Sequence, residues 1–324
     1  MKGTYIIKIR NRRVTYTLQI ERNITVICGD SGTGKTTLIQ SVAFYEELGE
    51  KSGVTIESSK SCHVLSGRKW HDELERIADS FVFVDEGNAF ISSKEFAAAV
   101  KNTDNYYILI TRENLYQLPY SVTSILELKK TTSRFKHTYN RTYPKYDYIP
   151  EVYEKMSMYD SFVTEDTNAG NEFFSHLANQ FDMECVSAGG KSRMLDIIKS
   201  LADKKQIVVA DGSAFGAEMA EVYRYYNLHK GDILLYLPES FEWLILSSGI
   251  IKDHEISEIL ESPSDYIESS VYMSWEQFFT KLLIEKTENT PASYSKSKLN
   301  KFYLHENHIS RIMEKIGETK IISK

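Results

Sequence analysis

The chain has little cysteine, no surplus of positive charge and no long hydrophobic run, and each shortage removes a class of protein. Its three cysteines, Cys28, Cys62 and Cys185, are odd in number and far apart in sequence. That pattern fits neither a disulfide framework nor a cysteine-rich zinc site, so buried thiols in a reducing compartment are expected. Thirty-nine Lys and Arg stand against 45 Asp and Glu, a formal charge of −6, so no global positive field would hold a nucleic-acid backbone. Contact with DNA or RNA would have to be local. The patch expected to supply it gathers Lys129, Lys130, Arg134, Lys136, His137 and Arg141 around Phe135, Tyr139 and Tyr143, although a solvated face explains the same charges. The longest purely apolar runs are strand-sized, such as Ile207 to Ala210, and residues 1–13 mix charged with apolar side chains, unlike a signal peptide. A soluble cytoplasmic protein with no membrane contact is therefore expected.

What is present suits burial. Apolar residues make up 42% of the 324 positions and aromatic residues 12%, which excludes a mainly disordered chain, and the length predicts two domains. The opening alternates as a hairpin, Thr4 to Arg10 and Arg13 to Ile20, turning at Asn11-Arg12. It leads into an apolar strand at Ile24 to Cys28, a glycine-rich turn and a helix from Lys35 to about Leu48. Strands at Cys62 to Leu65, Phe81 to Val84, Tyr106 to Ile110 and near Ile125 to Lys129 alternate with helices at about Trp70 to Asp79 and Lys94 to Lys101. That alternation predicts an α/β fold with a parallel-rich sheet covered on both faces. Pro144 and Pro150 mark a linker over residues 146–160 between a first domain at 1–145 and a second at 161–246. The second repeats the alternation, with four strands and three helices, and a helical region is expected over 247–324, broken by a polar stretch at Glu285 to Lys298.

Gly29-Asp30-Ser31-Gly32-Thr33-Gly34-Lys35-Thr36 matches the phosphate-loop pattern G-x-x-x-x-G-K-[ST], Walker A, between a strand and a helix. Glycines there let backbone amides turn toward phosphates, Lys35 neutralises the β and γ groups, and the Thr36 hydroxyl is a ligand for Mg²⁺. Thr37 follows in the same helix turn and completes the ATP-binding set. Phe81-Val82-Phe83-Val84-Asp85-Glu86 resembles the Walker B motif of ATP-hydrolysing P-loop proteins. The resemblance implies that Asp85 holds Mg²⁺ and that Glu86 is the general base for the attacking water. Thr111 and Arg112, after the strand Tyr106 to Ile110, are candidates to sense the γ-phosphate, though a strand-end Thr also serves as a plain cap. Lys101-Asn102-Thr103-Asp104 has the wrong order for a guanine-specificity motif. Leu65-Ser66-Gly67-Arg68 is similar to the signature of ABC-type ATPases but lacks its second glycine and its glutamine.

The second series resembles a Toprim domain, the metal-binding module of topoisomerases, primases and overcoming-lysogenization-defect nucleases. Phe162-Val163-Thr164-Glu165, Ala188-Gly189-Gly190-Lys191-Ser192 and Ile207-Val208-Val209-Ala210-Asp211-Gly212-Ser213 carry the likeness. It implies that Glu165 and Asp211 are catalytic and bind Mg²⁺ for phosphodiester chemistry. Ser213 stands where the second aspartate of that pattern belongs, and Glu239 and Glu242 follow a later strand as further acids. A P-loop ATPase followed by a Toprim module is the order found in those nucleases, which implies DNA processing or phage defence. It also implies a homo-oligomer in which Arg112 acts across the interface. Two other readings stand beside it: an ATP-dependent switch whose degenerate second domain binds a protein partner, and a small-molecule kinase, which an acid at position 86 disfavours.

Overall fold

The computed structural model of the chain describes residues 2–131, 137–148 and 158–318. Two compact units divide it, Met1–Tyr146 with Ser262–Met273, and Asp147–Glu261 with Ser274–Lys324. The stretch expected as a helical region after residue 246 is thus shared between them. Among the described residues no helix is long and apolar enough to cross a membrane.

In the first unit, β1 (Tyr5–Arg10) and β2 (Val14–Ile20) form the expected hairpin, and the Asn11 side-chain oxygen accepts from the N–H groups of Arg13 and Val14 at its turn. Next come β3 (Ile24–Cys28), α1 (Lys35–Leu48), β4 (Thr55–Glu57), β5 (Cys62–Val64), α2 (Trp70–Leu74) and β6 (Phe81–Val84). The series closes with α3 (Lys94–Lys101), β7 (Tyr106–Ile110), β8 (Ile125–Thr131) and β9 (Thr138–Pro144). The nine strands make one sheet in the order β4-β1-β2-β9-β8-β3-β7-β6-β5. From β8 to β5 every pairing is parallel, while β9 runs antiparallel to β8, and β1 antiparallel to β2 and β4. β3, β6 and β7 are buried at every residue, the reason they read as unbroken apolar runs.

Leu38, Ile39 and Val42 of α1 join Ile27, Phe83, Ile108 and Ile110 in one core, each buried side chain contributing about 1.5–3 kcal/mol. Leu48, the last residue of the helix, is exposed. α2 is shorter than its apolar pattern suggests and stops at Leu74. Register aligns Ile27 with Ile110, and Val84 with Leu109, so Gly29, Thr111 and Asp85 leave the sheet along one edge.

The second unit is built on β10 (Ser161–Thr164), α4 (Ala169–Gln180), β11 (Glu184–Ser187), α5 (Met194–Ser200), β12 (Gln206–Val209), α6 (Gly216–Leu228) and β13 (Ile233–Tyr236). Its four strands are all parallel, in the order β11-β10-β12-β13. α7 (Phe241–Ser247), α8 (His254–Glu261), α10 (Trp275–Thr287) and α11 (Glu306–Glu318) belong with it, whereas α9 (Pro263–Tyr266) lies in the segment assigned to the first unit. Phe173 and Phe174 of α4 pack against Phe241 with tilted and edge-on rings, and the helix of Phe241 is capped by Ser240 accepting the Trp243 N–H. Strand order reverses between β10 and β12, the place where open parallel sheets present residues to ligands.

Only Cys28 among the cysteines is buried; Cys62 and Cys185, expected to be buried as well, are half-buried free thiols. Each lies near a strand end or edge where one flank remains open.

Candidate functional site

Two groups of residues fit the chemistry expected of them in different degrees. The first surrounds the loop between β3 and α1. Gly34 has φ of +98°. A Cβ there would lie 2.8 Å from the Tyr16 hydroxyl and 3.0 Å from Asn140 Nδ2, so glycine is required by both conformation and space. Those two side chains hold the loop: Tyr16 donates to the Gly34 carbonyl at 2.9 Å, and Asn140 to that of Thr33 at 3.2 Å. Burial pushes the Tyr16 hydroxyl up to about 12, so it remains a neutral donor.

Lys35 is buried, and its ammonium donates to the carbonyls of Gly29 at 2.6 Å and Asp30 at 2.8 Å. Its charge is thereby folded into the centre of the loop, at the positive end of α1. Ser31, Thr36 and Thr37 are exposed beside it. Asp85 follows β6 and accepts the N–H of Glu86 at 2.9 Å, and Glu86 itself is exposed. Arg112, two residues past β7, connects the two motifs: Nη2 donates to Ser31 Oγ at 3.1 Å, and Nε lies 3.5 Å from Glu86. Thr111 is buried and its hydroxyl accepts the Glu113 N–H at 3.0 Å, which makes it a turn cap. The residue types suit a nucleoside triphosphate with Mg²⁺: an amide loop with a lysine, and side-chain oxygens at Thr36 and Asp85 of the kind that cation takes.

Around the basic patch, Lys129 pairs with Arg141 across β8 and β9, yet its ammonium lies 3.2 Å from Glu127. His137 Nε2 meets Thr15 Oγ1 at 2.9 Å. Arg134, Phe135 and Lys136 lie outside the described residues.

The second group sits at the carboxyl edge of β10 and β12. Glu165 Oε2 accepts the Asp211 N–H at 3.1 Å, and Asp211 Oδ1 accepts that of Phe241 at 3.2 Å. Glu242 joins them at the start of α7, and Tyr294 donates to its Oε1 at 2.8 Å. The N–H of Glu276, the second residue of α10, donates to Ser213 Oγ at 3.1 Å, and the Glu276 carboxylate is paired with Lys296. Lys191 donates to the Ala214 carbonyl at 2.9 Å and lies 3.8 Å from Glu218.

Burial raises Glu165 to about 7; the Asp211 N–H opposes this, Glu276 and Asp166 reinforce it, and Lys191 opposes it. Burial also raises Asp211 well above the ordinary aspartate value, with Glu276, Glu165 and Glu242 adding to the effect. Desolvation disfavours the Lys296 charge, but Glu276, Glu242 and Asp211 together outweigh it and hold the ammonium protonated.

This set fits Mg²⁺ poorly. Among the described residues no three His, Cys, Asp or Glu side chains are grouped to hold a metal ion, and an ammonium already faces the acids. Glu165, Asp211 and Glu242 were legible as strand-end acids. Glu276, Tyr294 and Lys296 were not, because one lies in α10 and the other two inside the polar stretch that follows it, and none carries a motif. No protein-family model matches the chain, and no curated protein matches it in sequence.

Proposed function

We propose that the chain binds ATP with Mg²⁺ at residues 29–37 and hydrolyses it, and that the nucleotide state governs the second, Toprim-like unit. The observation that carries this reading is the connection of loop and acid strand through Arg112, which reaches Ser31 and Glu86 from the strand lying between them. Bound Mg²⁺, held by Thr36 and Asp85, would neutralise the β and γ oxygens. Lys35 and the loop amides bind the phosphates. Glu86 takes the proton of the attacking water while the water oxygen bonds to the γ-phosphorus and the bond to the bridging oxygen breaks, leaving ADP and phosphate. An acid in that position suits water better than an alcohol acceptor, so a kinase is the weaker reading.

For the second unit the notion of a Mg²⁺-dependent nuclease acting on DNA or RNA, as in phage defence, competes with that of an ATP-dependent switch that binds a protein partner. Ser213 in place of an acid and the ammonium of Lys296 among the carboxylates favour the switch. A homo-oligomer is compatible with either.

Phosphate release from ATP tests the core of the proposal. Lys35→Ala should reduce turnover to background, Glu86→Gln should retain ATP binding while losing at least about a hundredfold in rate, and Asp211→Ala should leave turnover nearly intact. Full turnover in Lys35→Ala protein would remove the site assignment.

A further inference from the structure

The acids at the edge of the second sheet already share their cavity with a cation. Lys296 is ion-paired with Glu276, and its position is fixed from both sides. Before it, the Tyr294 N–H donates to buried Thr287 Oγ1 at 3.0 Å and the Tyr294 hydroxyl donates to Glu242. At Lys296 itself, the main-chain carbonyl accepts the Ala169 N–H at 2.9 Å; after it, the Leu299 N–H donates to Glu172 at 3.1 Å. The main chain that carries Lys296 is therefore fixed by the fold, and Glu276 holds its half-buried ammonium.

Two further observations point to a positive charge in this place. Glu242 is only 2% exposed; its Oε2 has no hydrogen-bond partner among the described residues, and its side chain lines a cavity with Glu165, Asp211 and Lys296. A buried carboxylate in that condition is tolerable beside a cation and costly without one. The cavity holds about 40 Å³, room for a few waters and none for a nucleotide. Ser213, in turn, holds the backbone of Glu276 and so seats the partner of Lys296.

We propose that Lys296 is the resident cation of this site, a tethered ammonium in the place of a divalent ion. The second unit as it stands then takes neither Mg²⁺ nor Mn²⁺ at these acids, and gains a divalent site when the ammonium is removed. This rests on reading the acids as a place for a cation; it does not depend on ATP hydrolysis by the first unit.

Mn²⁺ binding to the nucleotide-free full chain, followed by electron paramagnetic resonance, decides the matter. Lys296→Met keeps most of the stem and removes the charge. It should gain on the order of a hundredfold in Mn²⁺ affinity, the effect of removing a like charge at a few ångströms. Lys296→Arg should stay like the parent, and adding Asp211→Asn to Lys296→Met should abolish the gain. Saturable Mn²⁺ binding by the unaltered chain that Asp211→Asn removes would overturn the proposal, and so would a folded Lys296→Met protein with no gain. Should Lys296→Met unfold without metal, its melting in millimolar Mn²⁺ serves instead: recovery supports the tethered cation and no recovery refutes it. ATP turnover in the same preparations reports on the first unit separately.

Discussion

A methyl group added at Gly34 would meet the Tyr16 hydroxyl at 2.8 Å, on a backbone already at φ +98°. Strain of this kind costs on the order of 1–3 kcal/mol, and here it would also push the loop off its two supports. Gly34→Ala should therefore weaken ATP binding more than it lowers global stability, as read by nucleotide titration beside thermal melting; equal, small effects on both would remove the assigned role of Tyr16 and Asn140. In the second unit the charge state of Glu165 makes stability depend on pH. Its pKa rises on folding from 4.5 to about 7, so between those values the native protein holds a proton that the unfolded chain has released. Stability is then greatest at the acid end of that window, falls as pH rises through it and levels off above it. Urea midpoints at about pH 4.5 and about pH 8 should drop for the parent and drop less for Glu165→Gln; identical drops would contradict the buried placement of this carboxyl.

Elements with apolar runs or clean helical spacing were readable in the sequence, and those defined by their neighbours were not. β3, β6 and β7 are buried on both faces and announce themselves. β9, with the sequence TYNRTYP, has no such signal; β2 and β8 recruit it by hydrogen bonding on both sides, and only Asn140 is buried along it. β4 is three residues long with Ile56 as its sole apolar member. The glycine-rich turn between β3 and α1 was legible because its pattern is local, whereas its supports, Tyr16 and Asn140, are brought to it by strands distant in sequence. The end of α10 shows the same contrast. Thr287 donates to the Leu283 carbonyl at 2.7 Å and accepts the Tyr294 N–H, which ties the helix to the following turn and so to Lys296. Thr287→Val would leave that N–H unpaired at a cost of about 1–3 kcal/mol. Amide hydrogen exchange at Tyr294 should speed up and the denaturation midpoint should fall; unaltered exchange would count against the tie.

At the scale of the whole molecule, the first unit is discontinuous. Its last segment, Ser262–Met273, returns to hydrogen-bond Gly3 through the Ser264 carbonyl at 2.6 Å, brings Met273 to Asn23 and buries Ile267. A fragment of residues 1–146 lacks all of this. It should melt below the first transition of the full chain, and adding residues 262–273 through a short linker should recover much of the loss; a fragment as stable as the parent would show the segment to be dispensable. The alternation of the two units along the chain has a further consequence for the order of synthesis. A ribosome releases the strands of the second sheet before it reaches the piece that finishes the first unit. The first unit, although it leads the sequence, is therefore completed late: a nascent chain holding every strand of both sheets still lacks the closing segment, and the unit proposed to bind ATP is finished only after the second sheet has had time to form.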